Sequence, residues 1–243
     1  MALFAYMQQT QRFLREQGQV FENVDDLTSY VNRARREIAY RTESLRVIGT
    51  ISTVIGQRPY AFSTINIGTS ATTGLQGVVK VQNVQRVVAA GQKWINPRQW
   101  QWFQFFCLNN PVPQNGPPVT WAQFKSGDSP GTTTFGPGGV FYLDPPPDLV
   151  YVLNCDCVCY PNSLLKDTDV DAIAEPWTDA VPYFAAHLAM VELGNREAAT
   201  TFLGLYEKMA DMYTSAATNR WTSAQQNSQV QMSKLGLQRS GGS

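Results

Sequence analysis

Three consecutive stretches decide how this chain is read: Gly139-Val-Phe-Tyr-Leu-Asp144, then Pro145-Pro146-Pro147-Asp148, then Leu149-Val-Tyr-Val-Leu-Asn-Cys-Asp-Cys-Val-Cys-Tyr160. The two flanks alternate with the period of a strand, and the Pro/Asp run between them is turn chemistry. The pattern predicts two strands paired as an antiparallel hairpin, ended by Pro161 and Asn162. On the second strand, period two sets Tyr151, Leu153, Cys155, Cys157 and Cys159 on one face. A C-x-C-x-C run invites a metal reading. Same-face thiols on a strand nevertheless stand roughly 6–7 Å apart, too far to close a tetrahedral site without a bend. Small buried hydrophobes are the simpler assignment.

Towards the N-terminus the texture stays β-like as far back as Gly49. Thr, Val, Ile, Gly and Gln dominate, and Gly56, Gly68, Gly74, Gly77 and Gly91 punctuate at strand intervals. Tyr60 to Ile65 and Val78 to Val88 are the best strands, with Val79, Val81 and Asn83 expected to alternate against Val78, Lys80 and Gln82. Asn96-Pro97 reads as a helix N-cap followed by Pro at the first helical position. The short helix to Phe106 would present Trp100, Phe103 and Cys107 together. Residues 109–118 and 126–139 read as loops, with a short strand, Val119 to Phe124, between them.

Helices flank this β-rich stretch on both sides. Leu3, Tyr6, Met7, Phe13 and Leu14 recur at near-helical spacing, with Gly18 as the stop. A second helix starts at Asn23 or Asp25 and carries the stripe Leu27, Tyr30, Val31, Ala34 and Ile38, with Arg33, Arg36 and Glu37 off it. On the C-terminal side, Glu175-Pro176-Trp177-Thr178 is a helix entry, and Val181, Phe184, Ala185, Leu188 and Val191 are the expected buried face. Gly194-Asn195 stops that helix, and a last one from Arg196 carries Phe202, Leu205, Tyr206, Met209 and Tyr213. The fold class is therefore α+β: an antiparallel helical bundle from 1–48 and 164–217, a sandwich- or barrel-like β insertion at 49–163, and an extended tail at 218–243.

Charge adds a second theme. Lys plus Arg and Asp plus Glu both number 19, and only 16% of residues are charged. Such a low charge suits a surface largely covered by neighbouring subunits. From Ser44 to Lys125 there is no acid, whereas Arg46, Arg58, Lys80, Arg86, Lys93 and Arg98 are all cationic. From Asp128 to Asp179 nine acids face the single Lys166. The plain reading is solvated loops of either sign; the sharper one is a basic and an acidic flank meeting head to tail in a ring. No run spans a bilayer, the N-terminus lacks a signal-peptide pattern, and a cytoplasmic product with four reduced cysteines is expected.

Enzyme chemistry finds no footing. His187 is the only histidine and pairs with no cysteine by spacing. Asp167-Thr-Asp169-Val-Asp171 lacks the glycine and glutamate of a calcium loop and reads as structural capping. No phosphate-cradling glycine motif occurs, and no cofactor is expected. Trp94, Trp100, Trp102, Phe103, Phe105 and Phe106, beside Lys93 and Arg98, could stack nucleotide bases; core plus a subunit contact is the favoured reading. Arg33 and Arg36 join Trp94, Trp100 and Trp102 as candidate interface residues. In the tail, Arg220, Trp221, Val230, Met232, Leu235 and Leu237 are anchors set in polar sequence, a pattern that suits ordering on a partner.

With that layout the chain resembles the head-tail adaptor (connector or head-completion) proteins of short-tailed bacteriophages. Three segments carry the likeness: Val31-Asn-Arg-Ala-Arg-Arg-Glu-Ile38, then Phe141-Tyr-Leu-Asp-Pro-Pro-Pro-Asp148 with Tyr151 and Tyr160-Pro161, then Pro176 to Met209. The resemblance implies a homo-oligomeric ring of about twelve copies between portal and tail, closed by heterologous contacts. It further implies a helical ring wall, a β part flaring towards tail nozzle or fibre proteins, and a tail wedged between portal subunits. Genome DNA would pass through without sequence-specific binding, and no membrane would be involved. A tail-tube or nozzle subunit and a carbohydrate-binding tail-tip module are the alternatives.

Overall fold

The computed structural model describes residues 3–16, 24–68, 74–89, 91–109, 114–124, 139–169 and 171–214. Two helices, α1 (Leu3–Glu16) and α2 (Val24–Thr42), open the chain. On α1, Leu3, Tyr6, Thr10 and Leu14 face inward, and the Thr10 hydroxyl is satisfied by the Tyr6 carbonyl at 2.8 Å. On α2, Leu27, Val31, Ala34 and Ile38 are buried as their spacing predicts. Asp25 and Asp26 lie in its first turn and Arg41 in its last, each complementing the helix dipole. The expected stop at Gly18 and start at Asn23 lie outside the described residues.

The strands are β1 (Arg46–Ser52), β2 (Pro59–Ala61), β3 (Leu75–Val88), β4 (Gly91–Pro97), β5 (Thr120–Phe124), β6 (Val140–Asp144) and β7 (Val152–Pro161). They form one sheet in the order β1-β7-β3-β4-β5-β6-β2, antiparallel except for β4 with β5. After β2 a single 3-10 turn, Phe62–Thr64, replaces the second half of the strand expected over Tyr60–Ile65. That turn brings Asn66 onto β1, where Thr50 and Asn66 exchange backbone hydrogen bonds of 2.9 and 2.8 Å. The two ends of the strand order thereby meet and the sheet curls into a barrel. Gly49 sits at this seam; a Cβ there would lie 2.5 Å from Ile65 Cγ2.

The hairpin expected at 139–160 does not form. β6 pairs with β5 and β2, while β7 pairs with β1 and β3 on the far side of the barrel. The reason is the Pro145-Pro146-Pro147 run. It offers no N–H donors for a tight turn, and its carbonyls instead accept from neighbouring loops: Pro147 from Gly56 and Pro146 from Gly116, both at 2.8 Å. The proline run thus spans between two strands instead of reversing one. Asn96-Pro97 is also not a helix cap. The Asn96 N–H donates to Val119 at 2.9 Å, so β4 runs through Pro97 and the short helix α3 begins at Trp100 (Trp100–Phe103).

The expected two-residue alternation in β3 gives way to a three-residue one. Leu75, Val78, Val81 and Val84 are the buried residues, because the register against β7 shifts three times, between Leu75 and Gly77, Val78 and Lys80, and Val81 and Asn83. Each shift adds one residue to β3, as a β-bulge does, and tightens the curl. The consequence is a matched row: Val78 opposes Cys159, Val81 opposes Cys157 and Val84 opposes Cys155.

The described residues close with α4 (Val181–Glu192), entered through a 3-10 turn at Trp177–Ala180, and α5 at 196–214. Gly194 takes φ +74° at the junction, and Asn195 N–H returns to the Met190 carbonyl at 3.0 Å. On α4 the buried face is Val181, Pro182, Ala185, Ala186, Ala189 and Met190. Val191, expected inside, is 54% exposed, and Phe184 and Leu188 are half-buried. Small residues let α4 approach α1 and α2 closely, which turns the larger side chains outward. One cluster joins Leu14, Leu27, Ala189, Met190 and Phe202 between the helices; a larger one runs from Tyr6, Val31 and Ile38 through the three sheet cysteines to Phe141. Helices and curled sheet thus share a core.

Candidate interaction surfaces

Trp100, Phe103 and Cys107 point one way from α3 and the wider π-helical turn that follows it (Gln104–Leu108). Phe103 and Cys107 are buried with Ala122, and the Trp100 ring packs at 4.5 Å from Phe124 and 4.9 Å from Tyr142. The opposite face carries Trp102, Phe105 and Phe106. Phe106 lies 5.0 Å from Trp102 and 4.9 Å, edge-on, from Phe105, and the Arg98 guanidinium sits 4.8 Å over Trp102. Phe105 is 67% exposed and Phe106 58%. Trp94, on the exposed outer part of β4, is 59% exposed. A rigid aromatic and arginine platform of this kind is the composition of a protein-contact centre. Among the expected interface residues, Trp94 and Trp102 are at the surface and Trp100 is the inward-facing prop beneath.

A second exposed apolar site has no counterpart in the sequence reading. Val54 and Ile55 follow β1, and Leu149 and Val150 precede β7; all four are more than half exposed. The two loops are clasped by Thr53 N–H to the Tyr151 carbonyl (2.8 Å) and the Thr53 hydroxyl to the Leu149 carbonyl (3.2 Å). Two consecutive β-branched residues beside a glycine in a turn were the available signal.

Arg33 and Arg36 lie exposed on α2, Arg36 donating to Ser163 Oγ at 2.9 Å. Between them in sequence, Arg35 is fully buried. Its guanidinium donates to Asp171 Oδ1 at 2.7 Å, the Asn162 carbonyl at 2.6 Å and Asn32 Oδ1 at 3.2 Å. Asn32 also exchanges two bonds with the Leu164 backbone, and Tyr6 donates its hydroxyl to Asp171 Oδ2 at 2.6 Å. Burial, reinforced by the Asp171 charge, pushes the Tyr6 hydroxyl pKa far up, so it stays a donor. This clamp fastens α1 and α2 to the strap leaving β7. Asp167 accepts from the Phe4 N–H at 2.8 Å, and Asp169 from Leu165 and Lys166; those two backbone bonds draw the Asp169 carboxyl below its usual range. The acidic run does cap, but it caps α1 and its own strap and does not cap the following helix.

The opposed charge blocks meet within one chain. Arg46 pairs with Asp156, Arg58 with Asp144 at 3.2 Å, and Arg86 stacks 4.8 Å over Tyr151. Two ion pairs thus join the blocks inside one chain, and those four groups are engaged within the sheet.

Cys155, Cys157 and Cys159 are fully buried free thiols. Burial pushes Cys155 up to about 12 and Cys159 to about 11, so neither is a thiolate at neutral pH. Among the described residues no three His, Cys, Asp or Glu side chains gather as metal ligands. His187 Nδ1 lies 2.9 Å from the Ala199 carbonyl and holds α4 to α5. Among the described residues no helix is long and apolar enough to cross a membrane. Arg220, Trp221, Val230, Met232, Leu235 and Leu237 lie outside the described residues.

Compared with known proteins, the chain matches the family model described as SU10 adaptor protein over residues 3–229. No curated protein matches it.

Proposed function

The chain belongs to the SU10 adaptor protein family, the family of a phage structural adaptor, and from that premise we propose that it is a ring subunit joining the portal to the tail. The observation that carries the reading is the reach of the match, from Leu3 through helices and sheet to Gln229. In this reading the helical parts, 1–48 and 164–217, form the ring wall, and the β-rich part, 49–163, faces tail nozzle or fibre proteins. Copies associate head to tail in a closed ring of about twelve. The genome passes through without sequence-specific contact, and the subunit performs no covalent chemistry. The product is made in the host cytoplasm and resides at the head-tail junction of the virion.

Two features support assembly as the task. The Arg98–Trp102–Phe106 platform is backed by the half-buried Trp100 and the buried Phe103 beneath it, so little order need be bought on docking. The aliphatic pair of loops at Val54–Ile55 and Leu149–Val150 is a second such surface. Mass photometry of the purified protein, with and without its cognate portal, tests the proposal. A species near twelve copies, alone or on the portal, is the expected result. A monomer under both conditions contradicts it and favours a tail-tip binding module.

A further inference from the structure

Two aromatic surfaces of this chain, one recessed and one projecting, are left uncovered. The recessed one is a groove of about 540 Å³ between α1, α4 and α5, lined by Phe13, Tyr183, Phe202 and Leu205 with Glu197 and Thr201 at its rim. Its floor is aromatic: Phe13 stacks on Tyr183 at 4.6 Å and lies 6.0 Å from Phe202. The projecting one is the outer face of the aromatic turn that follows β4, where Phe105 and Phe106 stand exposed and Arg98 lies over Trp102.

We propose that the aromatic turn of one copy seats in the groove of the next, with Phe105 and Phe106 on the floor of Phe13, Tyr183 and Phe202 and with Arg98 facing Glu197. Three observations select a second copy of this chain as the occupant. The first is charge. Glu197 is the only charged residue lining the groove, and Arg98 is the cation of the turn. Among the described residues neither has an ion-pair partner in its own chain. No acid occurs from Ser44 to Lys125, so the countercharge for Arg98 has to come from elsewhere. The second is chemistry: projecting Phe and Trp rings beside an Arg suit a recessed floor of Phe and Tyr rings, and anchors of this kind dock in pockets of the partner. The third is placement. The inner side of the turn packs on Ala122, Phe124 and Tyr142 of the sheet, whereas the groove belongs to the helices, and Phe105 and Phe106 stay exposed, so the chain does not fill its own groove.

Two different patches that meet make a heterologous contact, which repeats from copy to copy and closes into a ring when the rotation per subunit fits. The inference rests on the ring reading proposed above and names the residues of its subunit contact. Within that contact the Arg98–Glu197 pair fixes the register, and the rings supply the buried area.

Disulfide cross-linking between full-length chains, with and without the cognate portal, tests it. Chains carrying Phe105→Cys are mixed with chains carrying Thr201→Cys at the exposed rim; the four native thiols are buried and do not compete. The expected result is a covalent dimer of the mixed chains forming at least tenfold faster than when Phe105→Cys is mixed with Leu165→Cys, another exposed position. Charge reversal gives a second readout: Arg98→Glu or Glu197→Arg alone should cut ring formation at least tenfold, and the two in one chain should restore it. A ring seen by mass photometry without the faster cross-link, or without rescue by the double reversal, overturns the inference, leaves the ring reading standing and assigns the turn to a portal or tail protein. Cross-linking without a ring upholds the contact and overturns only the closed ring. Absence of both overturns the two together.

Discussion

Arg35 and Phe105 invert the ordinary rule in opposite directions, one a guanidinium with no exposure and the other a benzyl side chain 67% exposed. Polar groups inside and large apolar groups outside are the informative exceptions to hydrophobic burial. Around Arg35, hydrogen bonds to Asp171, Asn162 and Asn32 answer the desolvated charge, and the result is a clamp between helices and sheet. Phe105 meets Phe106 edge-on, Phe106 meets Trp102 and Arg98 lies over Trp102, and the result is an exposed aromatic surface. The first region holds the fold, and the second is the surface proposed for contact.

Breaking the clamp should give the largest effect. Asp171→Ala leaves the Arg35 charge buried without its carboxylate and should cost about 3–5 kcal/mol, seen as a large fall in Tm. Tyr6→Phe removes only one donor to the same carboxylate and should cost about 1 kcal/mol. Equal losses for the two variants would mean that Asp171 acts through Tyr6 and not through Arg35.

The aromatic segment sharpens the contrast because its two faces differ. Trp100→Ala, on the inner face, should cost about 2–4 kcal/mol of folding stability. Single Ser replacements at Trp102, Phe105 or Phe106 should each stay within about 0.5 kcal/mol while weakening assembly. Comparable melting losses on both faces would make the outer aromatics core residues. At the barrel seam, Gly49→Ala should cost about 1–3 kcal/mol, since its Cβ meets the stiff Ile65 side chain. Chemical denaturation at neutral pH measures all of these.

A smaller effect belongs to the cysteine row. Unfolding lets Cys155 and Cys159 ionise near about 8.5, whereas in the fold they stay protonated up to about 12 and about 11. Their contribution is complete below the unfolded pKa and is lost progressively as pH rises from there towards the folded values. Stability should therefore decline above pH of about 9, and a variant with alanine at Cys155, Cys157 and Cys159 should show a shallower decline. An unchanged slope would place the alkaline sensitivity elsewhere.

Much of this was legible in the sequence. The helix stripes of α1 and α2, the helix entry near Pro176 and the one-faced cysteines all follow from periodicity within a single element. What failed was pairing. The prolines at 145–147 look like a hairpin turn, yet their lack of donors sends β7 to the other side of the barrel. In β3, three register shifts change the buried period, and no local pattern reveals a bulge whose cause is the neighbouring strand. Among the tryptophans, composition marked Trp94, Trp100 and Trp102 alike and could not separate the inward-facing Trp100 from the two exposed rings. It also chose Arg33 and Arg36 while passing over Arg35, because burial of a charge is decided by partners more than 100 positions away, Asp171 being 136 residues on.

The most direct test of surface against clamp is oxidative footprinting by mass spectrometry, comparing the free subunit with the portal-assembled ring. The account predicts that Trp102, Phe105 and Phe106 become protected on assembly while Trp100 changes little. Full reactivity of all three outer rings in the assembled ring would contradict it.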